Sequence, residues 1–501
     1  MKNWSLLSLL LVALSFSQLI TSCQSETTEP TPEVPEIEFL LLSGGTKIDR
    51  YAAQNLAAPL RSITVSGMGM GEQLLAIDFR PATGQLYGVS SGSRLYSINQ
   101  NTGVATALGT APFSPAIDGN VLGFDFNPTV DRIRLVTANG QNLRLHPELG
   151  TVVATDGAVN GVMNARISGA AYTENFAGTT TTALYNIDPQ TDQLYKQDPP
   201  NDGTQVVVGS LGVDLTGDGG FDISPENIAL AFYGNTLYQI DFMTGKATTL
   251  GVINGIAGVT GLAIPTNPVA YAVTTTNDLL IFNPENPAPI TKPITGLPMG
   301  QSLVGIDFRP ATGQLFGIGK NSTLYTINTA NGAATAVGSN PLGALLTGEF
   351  FGFDFNPTVD RIRVVSDSRI NLRLNPTNGT LAALDGGLNP GTPMISGAAY
   401  TNNFPGATTT VLYDIDAIAG KLYKQDPPNN GGLVEVGNLG ITATSTNGFD
   451  IGGTSDKAWA LLKVNNATRL YQINLMTGAA TQANAYTFMP DIQGFAVGLG
   501  F

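Results

Sequence analysis

The sequence predicts an all-β fold: a β-propeller of about ten four-stranded blades, in two duplicated five-blade halves. Three observations carry this expectation. A short stretch of glycine, apolar residue, aspartate or alanine, apolar residue recurs, most clearly as Gly123-Phe124-Asp125-Phe126 and Gly352-Phe353-Asp354-Phe355. Its third residue falls at Asp78, Asp125, Ala171, Asp222, Ala263, Asp307, Asp354, Ala399, Asp450 and Ala496, at intervals of 41 to 51 residues. A period of that length, filled with short alternating strands and turn residues, is the signature of a propeller blade. Second, the chain holds 59 glycines and 30 prolines with only 12% charged and 42% hydrophobic residues, which suits many short strands and tight turns. Third, long runs repeat across the two halves: Ile77 to Leu86 returns at Ile306 to Leu315, 229 residues later (306 minus 77).

At the N-terminus, Lys2 precedes an apolar run from Leu6 to Ile20, too short to span a bilayer and shaped like a secretory signal. The run ends in Leu19-Ile20-Thr21-Ser22-Cys23, which resembles the bacterial lipoprotein cleavage box. That resemblance implies a signal peptide over 1–22, cleavage before Cys23 and lipid modification of its thiol. Gln24 is not the aspartate associated with inner-membrane retention, so the expected address is the outer membrane, its periplasmic or surface side left open. Cys23 is the only cysteine, so an intramolecular disulfide and a cysteine-based metal site are excluded. Residues 23–36 then form a tether rich in proline, glutamate and threonine, with Pro30, Pro32 and Pro35 stiffening it. At about 3.1 Å per residue it reaches roughly 40 Å. The net charge of −14 argues against nucleic acid and against electrostatic docking on anionic lipid, leaving the lipid anchor as the membrane contact.

One blade illustrates the rest. Ile77 to Phe79 is a first strand, Gln85 to Val89 a second, Arg94 to Ile98 a third and Val104 to Leu108 a fourth, with turn residues between them. The run from Gly123 to Arg134 returns from Gly352 to Arg363, and Tyr195 to Asn201 returns from Tyr423 to Asn429. The Ile-Asp-Phe-Arg-Pro-Ala-Thr-Gly-Gln-Leu and Phe-Asp-Phe-Asn-Pro-Thr-Val-Asp-Arg-Ile-Arg runs resemble the bacterial domain of unknown function 4394 family. The resemblance covers both halves, from about residue 37 to the end. It implies a propeller-like extracytoplasmic domain and brings no catalytic residues with it.

The halves, 37–266 and 267–501, form either one large ring or two five-bladed rings, and the junction favours one. Gly261-Leu262-Ala263-Ile264 reads as a first strand and Val269 to Val273 as the second strand of the same blade. Only Pro265 to Pro268 lies between, reaching about 13 Å, short for a crossing between the centres of two side-by-side rings. Gly494 to Val497 and Phe39 to Leu42, at the two ends, would then close the last blade together.

Candidate sites follow from the recurring polar residues. Asp78, Asp125, Asp222, Asp307, Asp354 and Asp450 lie on innermost strands, where converging carboxylates can bind Ca²⁺ or another hard cation. The structural alternative is that each accepts backbone N–H groups or pairs with arginine inside its blade. Arg132, Arg134 and Arg144, with Arg361, Arg363 and Arg373 in the second copy, can grip an acidic group of a ligand. They can equally pair with carboxylates of their own blade, Asp125 included. The Asp-Pro-Pro-Asn loops after Tyr195 and Tyr423 offer a partner surface or a stiffened turn. His146, the only histidine, is replaced by Asn375 in the second copy, so His-based triads and multi-His zinc sites are excluded. The resulting expectation is a cell-envelope lipoprotein whose propeller scaffold binds a glycan or a protein. The alternatives are a hydrolase or lyase acting on glycans through channel carboxylates, and a structural envelope component.

Overall fold

The strands alternate and punctuate where the glycine, proline and asparagine turns predict. A computed structural model describes residues 33–338, 342 and 346–501, and residues 34–501 form one unit. The signal peptide, Cys23 and most of the tether lie outside the described residues. Among the described residues are ten four-stranded antiparallel sheets in a propeller-like arrangement, and the only helical element is the single turn Pro428–Asn430. No helix among them is long and apolar enough to cross a membrane. The sample blade comprises Leu74–Phe79, Leu86–Ser90, Leu95–Ile98 and Ala105–Leu108, close to the expected bounds. Every residue of Leu74–Phe79 is buried, as a strand packed on both faces must be. The outermost strand of the next blade, Thr151–Thr155, alternates between exposed and half-buried, as a strand covered on one face does.

Strand pairing corrects the expectation of one large ring. Val259–Ala263 pairs with Glu38–Ser43, with Leu262 opposite Leu41, and so supplies the missing innermost strand of the N-terminal blade. Ile492–Val497 pairs instead with Ala270–Thr274, with Ala496 opposite Tyr271. The stretches expected to share the junction blade therefore belong to different sheets, and the two chain ends do not meet in one blade. The innermost strands of the first half, Leu74–Phe79, Leu122–Asn127, Gly169–Tyr172, Gly219–Ile223 and Val259–Ala263, touch in that order, and the last touches the first. Those of the second half, beginning with Leu303–Arg309 and ending with Ile492–Val497, do the same. Each half closes on itself by an exchange between its ends.

The short junction is compatible with this because the halves are pressed together where it crosses. The Tyr271 hydroxyl donates to the Ala82 carbonyl at 2.9 Å, and the Gly500 amide to the Thr83 carbonyl at 2.8 Å. Phe501 lies over Gly84, where a Cβ would meet its ring at 2.2 Å, so this turn of the first half needs glycine both for its φ of +69° and for the close approach. The chain therefore only has to step from one packed seam strand to the next.

Candidate functional site

The six recurring aspartates are buried, none more than 2% exposed, and they fall into two clusters. Oxygens of Asp78, Asp125 and Asp222 lie within 4.8 Å of one another, and those of Asp307, Asp354 and Asp450 repeat the arrangement. Each carboxylate also reaches the following blade of its ring that carries a recurring tetrad. Asp78 Oδ2 accepts the Phe126 amide at 2.9 Å, Asp125 Oδ2 the Tyr172 amide at 3.3 Å, and Asp222 Oδ2 the Ile264 amide at 2.6 Å. In the second half the same bonds run from Phe355 to Asp307, Tyr400 to Asp354 and Val497 to Asp450. The acceptor always takes the amide one residue past the third tetrad position of the next blade. These carboxylates are latches between blades, and where the tetrad holds alanine the latch is missing.

Four of the six also accept the amide of the next residue: Phe79 to Asp78, Ile223 to Asp222, Phe308 to Asp307 and Ile451 to Asp450. Asp125 and Asp354 do not, and one buried oxygen of each takes no N–H or hydroxyl partner; as orphan oxygens they leave these two side chains within hydrogen-bonding reach only of the carboxylates of Asp222 and Asp450 and of the one amide each accepts. Burial raises the whole set above the ordinary carboxylate range, and like charge adds to it: Asp222 acts on Asp78, and Asp78 and Asp222 act on Asp125. Asp222 and Asp450 are each pushed up to about 7 by burial. Three carboxylates this close in a dry site require a proton or a cation among them. The orphan oxygens face such a site, and as hard donors they suit either.

The arginines lie in two environments. Arg134 is buried and donates to Asn142 Oδ1 at 2.8 Å, Asp156 Oδ2 at 2.6 Å and Asn201 Oδ1 at 2.7 Å. Arg363 repeats this with Asn371, Asp385 and Asn429. The Asp-Pro-Pro-Asn loops thus bring Asn201 and Asn429 to a guanidinium. Asp125, although opposite Arg134 in strand register, is not its partner; the blade's outer Asp156 is. Arg144 and Arg373 fork onto Asp156 and Asp385 and keep about a third of their side chains exposed. Arg132 and Arg361 donate to the carbonyls of Asp131 and Asp360 and are half-buried.

Other buried polar residues escaped the sequence reading. Arg80, in the first repeated motif, is fully buried and binds Asp131, Glu148 and, across the seam, the Gly313 carbonyl. Its counterpart Arg309 is partly exposed and, among the described residues, its side chain binds Asp360. The signal lay in positions where the copies differ: Glu148 corresponds to Thr377, and His146 to Asn375. Burial and the charges of Arg132 and Arg80 push His146 down to about 4, so it is neutral near physiological pH. Asp414 is fully buried, neither of its oxygens has a partner, and burial pushes it up to about 8.

The seam also holds a cavity of about 320 Å³ that no repeated motif predicts. Its walls include Trp459 and Phe501 of the second half, Gln100 and Asn101 of the first, and Thr266 of the junction.

Fold and site together define a duplicated all-β blade protein with latched inner strands and a cavity between its halves. The chain belongs to the family described as "Domain of unknown function (DUF4394)", whose model matches residues 47–263 and 278–496. No curated protein matches it. Among solved structures, the extracellular domain of the one component system BT4673 from B. thetaiotaomicron is similar at 12% identity and a TM-score of 0.25. That match covers 90% of this chain and 66% of that one. PorZ, a surface component of the type-IX secretion system of Porphyromonas gingivalis, is similar at 11% identity and a TM-score of 0.26, covering 90% and 60%. This chain thus spans less than two thirds of the length of either, and likeness at these scores carries no function across.

Proposed function

We propose that the protein is a lipid-anchored cell-envelope scaffold that binds a glycan or a protein at the seam of two five-bladed propellers. Residues 1–22 act as the signal peptide, Cys23 carries the lipid, 23–36 is the tether, and 37–266 and 267–501 are the propeller halves. One observation carries this reading: the shared aspartates and Arg134 and Arg363 are engaged inside the blades, whereas the cavity between the halves adds Gln100, Asn101, Trp459 and Phe501, which the copies do not share, to the shared Phe79 and Gly84. Of the arginines, Arg132, Arg144, Arg361 and Arg373 retain exposed surface for an acidic group on a ligand; Arg134 and Arg363 do not. The outer membrane is the proposed address.

A second reading places a divalent cation such as Ca²⁺ among Asp78, Asp125 and Asp222, and among Asp307, Asp354 and Asp450. The orphan oxygens of Asp125 and Asp354 favour it. A channel hydrolase or lyase would need these carboxylates to meet a substrate, and in this structure they are buried.

The test has two arms. Cys23→Ala is expected to move the protein from the membrane fraction to the soluble fraction of its host. The full chain is expected to be retained on isolated cell-envelope material, peptidoglycan sacculi included. Membrane association that survives Cys23→Ala would remove the anchor, and no retention on any envelope fraction would remove the scaffold.

A further inference from the structure

A second pocket on the seam shares no lining residue with the cavity beside Trp459. It holds about 200 Å³ between Arg132, His146 and Glu148 of the first half and Gln314, Thr326 and Thr329 of the second. The Thr329 hydroxyl donates to Asp131 Oδ2 at 3.3 Å and so ties its two walls together. The first-half wall departs from the repeat, since the second copy has Asn375 and Thr377 where His146 and Glu148 stand. Strand register sets Arg132 beside His146: Ile133 pairs with Leu145, and each of the two lies one residue further along its strand.

The acids of this pocket are committed and its donors are not. Arg80 donates to both oxygens of Asp131 and, at 2.9 Å, to Glu148 Oε1. Arg132 uses one N–H on the Asp131 carbonyl at 2.7 Å and makes no ion pair among the described residues. His146 Nδ1 accepts the Glu148 amide at 3.3 Å, so the neutral imidazole carries its proton on Nε2, which has no partner among the described residues. The side-chain amide of Gln314 is likewise unpartnered among them. Arg132, His146 and Gln314 all keep accessible surface and line the pocket.

A free guanidinium edge takes a planar carboxylate through two parallel N–H···O bonds. Asp131 and Glu148, close by, oppose a second negative charge and so favour a monoanion over a sulfate or phosphate dianion. The remaining lining includes Thr326, Asn328 and Thr335, with only Ile327 and Ala333 apolar, which suits a ligand rich in hydroxyls. The volume lies below the roughly 300 Å³ at which drug-sized pockets begin, so the ligand enters by a single residue.

We infer that this pocket binds one uronic acid residue, with Arg132 as the ionic contact of its carboxylate and the His146 Nε2–H as a second donor. This inference rests on the reading of the protein as a binding scaffold and names a ligand class at its seam.

Glucuronate and galacturonate are titrated into the full chain at neutral pH and followed by saturation-transfer NMR. Glucuronate methyl ester, inorganic sulfate and N-acetylalanine serve as comparison probes. At least one uronate is expected to saturate with a Kd below about 1 mM. Arg132→Gln is expected to weaken it about tenfold or more, since a charge-assisted contact is lost. His146→Asn installs the residue of the second copy, which the fold already accepts there, and is expected to weaken binding about threefold to tenfold with an unchanged Tm. The inference is overturned if neither uronate saturates, or if the methyl ester, sulfate or N-acetylalanine binds as tightly. Binding by Arg132→Gln equal to that of the parent overturns it as well; should that variant not fold, equal binding by His146→Asn does so. Envelope retention that persists alongside such a failure would leave the scaffold standing and remove only the uronate pocket; loss of both would remove both.

Discussion

Asp222→Ala is expected to lower the unfolding free energy by about 2–6 kcal/mol, because it strips two buried amides of their side-chain acceptor at about 1–3 kcal/mol each. Those amides belong to Ile223 and, in the neighbouring blade, Ile264. Asp125→Asn is expected to leave stability unchanged or raise it. The new side chain keeps an oxygen for the Tyr172 amide, places an N–H where Asp125 has an orphan oxygen, and removes one of three crowded negative charges. Asp450→Ala and Asp354→Asn should behave likewise in the second half, since the same bonds recur there. Urea denaturation of the four variants measures this. If Asp125→Asn is as damaging as Asp222→Ala, the latch account fails and a role that needs the full carboxylate, such as holding a cation, takes its place.

The latch was half legible in the sequence. The recurrence of Asp78, Asp125 and Asp222 and their place on innermost strands were visible, as was the option that each would accept a backbone amide. Convergence into triads was not, because it depends on how closely the rings draw those strands together. The ring count was misread for a related reason. The length of Pro265 to Pro268 sets how far the junction can reach, but the distance it must cover depends on the Tyr271–Ala82 and Gly500–Thr83 contacts. Pairing between Leu41 and Leu262 is likewise invisible to local alternation, since the partners are more than 200 residues apart. The arginines were seen as a group, yet only the fold separates buried Arg134 from half-exposed Arg144. The seam cavity is not legible in the repeat because Trp459, Thr266 and Phe501, which help to line it, are not repeated in the other half.

Stability is also expected to fall as pH rises from about 5 to about 8, the reverse of the usual carboxylate trend. Asp222 and Asp450 titrate near 7 in the folded protein and Asp414 near 8, all pushed up by burial. Unfolded aspartate titrates at about 3.9. Between these limits the native state holds protons that the unfolded chain has released, so raising the pH favours unfolding, by on the order of 1 kcal/mol per pH unit for each such group. Asp414 separates its own share from that of the triads. In the first half its counterpart Asn186 donates to Gln197 Oε1 at 2.7 Å and Gln205 Oε1 at 2.9 Å. In the second half Gln425 Oε1 is left unpartnered and Leu433 replaces the other glutamine. Asp414→Asn should recreate the first of these bonds, raise stability at pH 8 and flatten the slope between pH 6 and 8. An unchanged slope in that variant would mean that Asp414 is not a neutral acid in the native state.

Thermal unfolding of the full chain at pH 5.5 and at pH 8, each with saturating Ca²⁺ and then with chelator, tests most directly whether protonated carboxylates latch the blades. The latch account predicts a higher Tm at pH 5.5 than at pH 8 and no response to Ca²⁺ at either. A Tm at pH 8 that rises with Ca²⁺ and falls with chelator would contradict it. At 100 times its dissociation constant a native-state ligand adds about 2.7 kcal/mol, a shift too large to miss.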